Sequence, residues 1–194
     1  MVAVYSIRKS TKGDIILNKK CKDEIIDWIK AICVSGTIAI CINLVAQPTM
    51  VSGQSMHPTL ENNDYLFINR LAYKSQMPER GNVIVFKADL SGNNSSPKKN
   101  LVKRVIALPG EHLIIKDNNV YINGKHLNED YLVDVYTDGD IDIIVPDNHI
   151  FAMGDNRENS DDSRQSYIGA ISLDDVVGEV SIRIFPFDKI GKIK

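Results

Sequence analysis

Sixteen consecutive residues without a charge, 31–46 (AICVSGTIAICINLVA), constrain this 194-residue chain more than any other feature. An α-helix over them spans about 24 Å, short of a hydrocarbon core of about 30 Å. Starting the helix near Ile25 closes the gap: Trp28 then sits at an interface, Lys30 snorkels to head groups, and Asp27 lies at the water boundary. The competing readings are a buried core helix and a cleaved secretory signal. The second suffers because 30 residues, many of them polar, precede the run, long for a signal n-region. The sequence therefore points to an uncleaved single-pass anchor over 25–46. Ahead of the run stand Arg8, Lys9, Lys12, Lys19, Lys20, Lys22 and Lys30, whereas Arg70 is the one basic residue in the 25 that follow it. The positive-inside rule then puts a basic tail, 1–24, in the cytoplasm and residues 47–194 on the extracytoplasmic side of a cell membrane.

Beyond the run the charge balance reverses. Residues 1–30 carry seven Lys/Arg against four Asp/Glu, and residues 47–194 carry 16 against 21, so no basic face for nucleic acid is expected. Cys21, Cys33 and Cys41 all precede residue 47, which leaves the remainder without a disulfide or zinc staple. That remainder reads as short apolar runs between turn residues: 83–86, 101–108, 112–116, 120–122, 141–145, 149–153 and 180–185 are expected strands. Asp117, Asn118 and Asn119, and then Asn123 and Gly124, supply turn chemistry. Val180, Ile182 and Ile184 alternate with Ser181 and Arg183, which predicts one buried and one wetted face. The expected class is a mainly β, antiparallel domain behind one N-terminal helix. Residues 87–100 (KADLSGNNSSPKKN) read as a polar loop without function.

Three segments carry candidate chemistry. Residues 51–60, VSGQSMHPTL, set Ser55 between Gly53 and Pro58, which alone is as well explained by a turn. In 101–110, LVKRVIALPG, Lys103 is flanked by Leu101, Val102 and Val105, where a lysine facing inward loses solvation and one facing outward is unremarkable. Residues 154–164, GDNRENSDDSR, would by composition be a solvated loop.

Taken together and in this order, SGQSMHPTL, VKRVIALPGE and GDNRENSDDSR, with RGNVIVF at 80–86, the ending VGEVSIRIFPF and the apolar run, resemble the type I signal peptidases, membrane-anchored serine proteases that release exported proteins from their signal peptides. The resemblance implies a Ser/Lys dyad, with Ser55 the nucleophile and Lys103 the general base. A serine hydroxyl needs a base to become nucleophilic, and a lysine serves only if burial lowers its pKa. It further implies that Ser160 hydrogen-bonds the Lys103 amine, that Asp155 pairs with Arg104, and that Asp162 pairs with Arg164. The substrates implied are preproteins whose signal peptides add as an extended strand beside 50–54 and 100–102. Val51, Met56, Leu101 and Val102 are the candidate pocket walls for small residues, alanine above all, at the −1 and −3 positions. No cofactor and no metal are implied, and a monomer is expected.

The chain departs from the family pattern at three positions. Gly53 stands where one branch has a serine completing the oxyanion hole, so the hole falls to the Ser55 backbone N–H, as in Gram-positive members. Asn82 replaces the usual aspartate after Arg80 and Gly81, and Asn43 a frequent basic residue. The decoys are weak. Asp138, Asp140 and Asp142 have calcium-loop spacing but lack its glycine and bidentate glutamate. His57, His112, His126 and His149 form no ligand motif, and the S-x-x-K matches at Ser6 and at Ser95 lie in polar stretches. Two rivals remain: a Ser/Lys regulatory autoprotease of the repressor type, which would be soluble and carry a helix-turn-helix, and an inactive anchored homologue acting as a binding module.

Overall fold

The computed structural model describes residues 12–74, 76–91, 97–132 and 136–193, with side chains of the N-terminal helix described over 22–40. The tail before residue 12, the side chains of Cys21, Cys41 and Asn43, and residues 92–96 lie outside the described residues. The chain separates into two units, 1–44 and 45–194.

The first unit contains helix α1, Lys12–Val45, which starts well before the expected Ile25. Ile25, Ile26, Trp28, Ile29, Ile32, Val34, Ile38 and Ile40 are all exposed, and at 100° per residue they cover every side of the helix. Ser35 and Thr37 donate their hydroxyls back to the carbonyls of Ile32 and Cys33. Among the described residues, nonetheless, no helix is long and apolar enough to cross a membrane. Lys22, Asp23, Glu24, Asp27 and Lys30 crowd the part of the helix before residue 31, and the charge-free stretch from 31 to 40 spans about 15 Å.

The second unit is mainly β and antiparallel throughout its described pairings. Its strands are β1 Ala46–Met50, β2 Tyr65–Asn69, β3 Val83–Ala88, β4 Lys99–Ala107, β5 His112–Lys116, β6 Asn119–Ile122, β7 Lys125–His126, β8 Ile141–Ile144, β9 His149–Met153, β10 Ile171–Ser172, β11 Val176–Phe185 and β12 Gly191–Lys192. One sheet runs β1-β2-β11-β3-β4-β9-β10, with β12 also on β11, and a second runs β7-β6-β5-β8. All seven expected strands are present. The two turns joining β5 to β6 and β6 to β7 hold Asp117, Asn118, Asn123 and Gly124 at positive φ, the signature of tight two-residue hairpins.

Strands β1 and β2 escaped the sequence reading. Pro48 argues against a strand, yet β1 lies at the sheet edge, where a missing N–H is tolerated. The supposed loop 87–100 is strand at both ends, since β3 continues to Ala88 and β4 begins at Lys99. The alternation expected over 180–184 also fails. A bulge between Val180 and Ile182 shifts the register against β2, so that Arg183 turns toward the body, donating to Asp64 at 2.8 Å, and Ile182 and Ile184 stay exposed. Three apolar clusters fill the body. One of them, around Val51, Met56, Leu60, Leu66, Ile68 and Val83, lies directly beneath the serine segment.

Candidate active site

The serine segment is the excursion between two paired strands, for Met50 of β1 faces Tyr65 of β2. Its own hydrogen bonds shape it. Val51 N–H donates to the Asp64 carbonyl, His57 N–H to Gln54, Leu60 N–H to Met56, and Gly53 N–H to the Asn62 side chain at 2.9 Å. Gly53 has φ +108°, a conformation L side chains rarely adopt. Buried Met56 and Leu60 pin the turn to the core, which leaves Ser55 half-buried on the surface it forms. The Ser55 N–H makes no hydrogen bond with the described residues.

Lys103 lies on β4 opposite Ile84 of β3 and is 2% exposed. Its Nζ donates to Ser55 Oγ at 2.6 Å. Burial pushes the Lys103 pKa down to about 8, against the opposing pull of Asp162, Asp161 and Asp155. No carboxylate oxygen lies within ion-pair distance of its amine among the described residues.

Its neighbour Arg104 has the opposite surroundings. Nε and Nη2 donate to the two oxygens of Asp155 at 2.9 and 2.7 Å, Nη1 donates to the Gly81 carbonyl, and the guanidinium lies 4.0 Å from the Tyr131 ring centre. Both partners of this ion pair are buried. The pairing expected of Asp162 and Arg164 is also present, bidentate at 2.9 and 3.0 Å. Burial would raise the Asp162 carboxyl, but Arg164 and the Gly154 N–H outweigh it and hold the group below the usual carboxylate range.

Ser160 does not take its expected place. Its hydroxyl is buried and makes no hydrogen bond of normal geometry with the described residues, so the bond to the Lys103 amine is absent; the group it acts on is the Asp162 carboxyl, which it helps to hold down. Its oxygen is instead packed against Gly154: a Cβ on that glycine would collide with Ser160 Oγ and with the Ser55 carbonyl. Of the four pocket candidates, Val51, Met56 and Val102 meet in one cluster. Leu101 packs with the group around Ile84, Phe86 and Val105, because adjacent residues of a strand face opposite ways.

Several positioning contacts were invisible in the sequence. Asn156 grips the serine turn twice, its N–H donating to the Ser55 carbonyl at 3.0 Å and its Nδ2 to the Gln54 carbonyl at 3.1 Å. Arg157, buried, donates to Glu129, Thr137 and the Gly154 carbonyl. An arginine in a polar segment was the one available signal, and nothing marked its partners. Asn82 closes its own turn by accepting from the Glu79 N–H, and Arg80 pairs with Glu111 at 2.5 Å.

A polar loop and a buried lysine converging on one serine fit a hydrolase, and sequence comparison specifies which. The profile of the signal peptidase, peptidase S26, family matches residues 25–185, and the chain belongs to that family. It is 37% identical over 187 residues to signal peptidase I P of Bacillus subtilis subsp. natto, covering 91% of this chain and 97% of that one. It is 33% identical to signal peptidase IB of Staphylococcus aureus (strain COL), over 87% and 93% of the two chains. A crystal structure of a signal peptidase I from Enterococcus faecalis V583 aligns with TM-score 0.45 and 32% identity, over 55% of this chain and 98% of that one. The protein is thus an enzyme of the signal peptidase I class, a peptidase and a hydrolase.

Proposed function

We propose that the chain cleaves N-terminal signal peptides from exported preproteins through a Ser55–Lys103 dyad. The observation that carries this reading is the 2.6 Å contact between Ser55 Oγ and a buried lysine whose pKa lies near 8. At neutral pH about one molecule in ten then holds a neutral Lys103, enough to supply a base. Neutral Nζ takes the Ser55 proton as Oγ attacks the scissile carbonyl. The oxyanion accepts from the Ser55 N–H, which makes no other hydrogen bond among the described residues, and the Lys103 ammonium returns its proton to the leaving amine. Water, deprotonated by the same amine, then hydrolyses the acyl-enzyme.

Substrate adds as a strand. The β4–β9 ladder begins only at Arg104, which leaves the other edge of Asn100, Leu101 and Val102 without a described strand partner, although β3 pairs with them on one side. Val51, Met56 and Val102 wall the pocket for small side chains. The inactive-homologue rival requires a serine without a base, which the Lys103 contact opposes.

The same proposal includes the anchor. Charge-free sequence continues to residue 46, apolar side chains surround α1, and the hydroxyls of Ser35 and Thr37 are satisfied internally, as lipid demands. The basic tail would lie in the cytoplasm and the β unit outside, in a Gram-positive-type cell membrane. The experiment is kcat/KM for a signal-peptide substrate from pH 5 to 10, using the full chain in detergent. The rate should rise tenfold per pH unit below about 8 and level above it; a flat profile would remove Lys103 as base. Protease added to intact protoplasts should trim the β unit and spare the tail, and the reverse pattern would invert the topology.

A further inference from the structure

Two environments of different chemistry adjoin the Ser55 turn and share no residue, one a buried apolar cluster and the other an open cavity. The apolar cluster holds Val51 and Met56, with Val102 of β4 packed against it. The second is a cavity of about 360 Å³ walled by Gln54, His57, Glu61, Asn62 and Asn156, with no residue from β4. It adjoins the reacting serine, since Gln54 precedes Ser55 and Asn156 hydrogen-bonds the Ser55 carbonyl.

Every residue lining this cavity carries a polar group, presented along with the aliphatic stem that bears it, and the amides are half used. Asn62 employs its carbonyl oxygen for the Gly53 N–H, and Asn156 its NH2 for the Gln54 carbonyl. Asn62 Nδ2 and Asn156 Oδ1 make no hydrogen bond with the described residues, so one donor and one acceptor remain beside the Gln54 amide and the His57 ring. Glu61, at the rim, is neutralised by Lys189 at 2.8 Å. The cavity therefore offers hydrogen-bonding groups beside aliphatic stems, without a strong net charge.

We propose that this cavity is the subsite for the residues just after the scissile bond, the leading residues of the released chain, and that it selects hydroxyl- and amide-bearing side chains there. The inference rests on Ser55 being the nucleophile with the signal-peptide side of the substrate along β4. Residues after the scissile bond must then leave Ser55 away from that strand, toward Gln54 and His57. An apolar side chain lodged there would leave the wall amides unpaired, which a polar site penalises more than a missing methylene.

The test uses the full chain in detergent and peptides identical through the −1 alanine, carrying Gln-Ser or Leu-Leu at the two positions after the cut. The Gln-Ser peptide should be favoured about tenfold in kcat/KM, and Q54L with H57L should bring that ratio toward one while alanine remains preferred over leucine at −1. A short Gln-Ser product peptide should also inhibit the wild-type enzyme more strongly than its Leu-Leu counterpart, a measurement that needs no variant. Equal kcat/KM for the two peptides, or a ratio untouched by both substitutions, would overturn the subsite alone. Failure to cleave either peptide would sink the dyad reading, and this proposal with it.

Discussion

Lys103 and Arg104 are neighbours on β4 and almost equally buried, at 2% and 1% exposure, yet the structure around each treats its charge in opposite ways. Around Arg104, a bidentate carboxylate, the Gly81 carbonyl and the Tyr131 ring fix the cation in place. Around Lys103 a serine hydroxyl is the one hydrogen-bonding partner of the amine among the described residues, and desolvation dominates. A buried cation with its counter-ion is architecture; one without it is held ready to lose a proton.

The largest expected effect tests the Lys103 side. Arginine keeps its charge at any working pH, so Lys103→Arg should be as inactive as Ser55→Ala, each losing roughly 10⁴-fold or more in kcat/KM. Turnover by Lys103→Arg within a hundredfold of wild type would erase the contrast between the two cations.

The Arg104 side should respond in stability. Asp155→Ala leaves a buried guanidinium uncompensated, a cost of about 3–5 kcal/mol in chemical denaturation. The double variant Asp155→Leu with Arg104→Met should recover much of that loss, because the cost lies in the unpaired charge rather than in the absence of the pair. A double variant no better than the single one would show that the pair itself supplies the stability.

Lys103→Met sharpens the comparison further. Since the folded pKa of Lys103 is depressed below its ordinary value, the unfolded chain binds more protons between about pH 8 and 10.5, and stability rises with pH across that window. Burying the ammonium is therefore a destabilising term, full below about pH 8 and gone above about 10.5. Removing it should make the inactive Lys103→Met more stable than wild type at pH 7, by roughly 3 kcal/mol at most, with the gap closing by pH 10.5. Denaturation curves at pH 7 and 10 measure this, and a gap that does not narrow would reject the depressed pKa.

What could be read in advance divides along similar lines. Local signals were legible: the two tight hairpins followed from Asp117, Asn118, Asn123 and Gly124, and seven strands from apolar runs. Edge strand β1 was not, because Pro48 cancels its strand signal unless its edge position is known. Nor was the phase of β11, where one bulge turns Arg183 inward and leaves Ile182 and Ile184 outside. In the site, the ion pairs Arg104–Asp155 and Asp162–Arg164 were accessible only through family resemblance. The Asn156 grip on the serine turn and the Arg157–Glu129 contact join segments that no periodicity links.

Ser160 supplies the smallest effect and the finest discrimination between the two sides of β4. Were its hydroxyl a fixed partner of the Lys103 amine, Lys103 would be held by a framework as Arg104 is, and deleting the hydroxyl would leave a buried donor unsatisfied at a cost of about 1–3 kcal/mol. In the structure the hydroxyl makes no hydrogen bond of normal geometry among the described residues; it packs against Gly154 beside the Ser55 carbonyl and helps to hold down the Asp162 carboxyl. Ser160→Ala thus removes a buried hydroxyl that makes no bond to the Lys103 amine and acts on the Asp162 carboxyl instead, while preserving the Cβ that fills the space. Its stability should fall by no more than about 1 kcal/mol, and the pH midpoint of kcat/KM should remain near that of the wild-type enzyme. A loss above about 1 kcal/mol together with a shifted midpoint would show that Ser160 does hold the lysine amine, and that Lys103, like Arg104, is positioned by a dedicated partner.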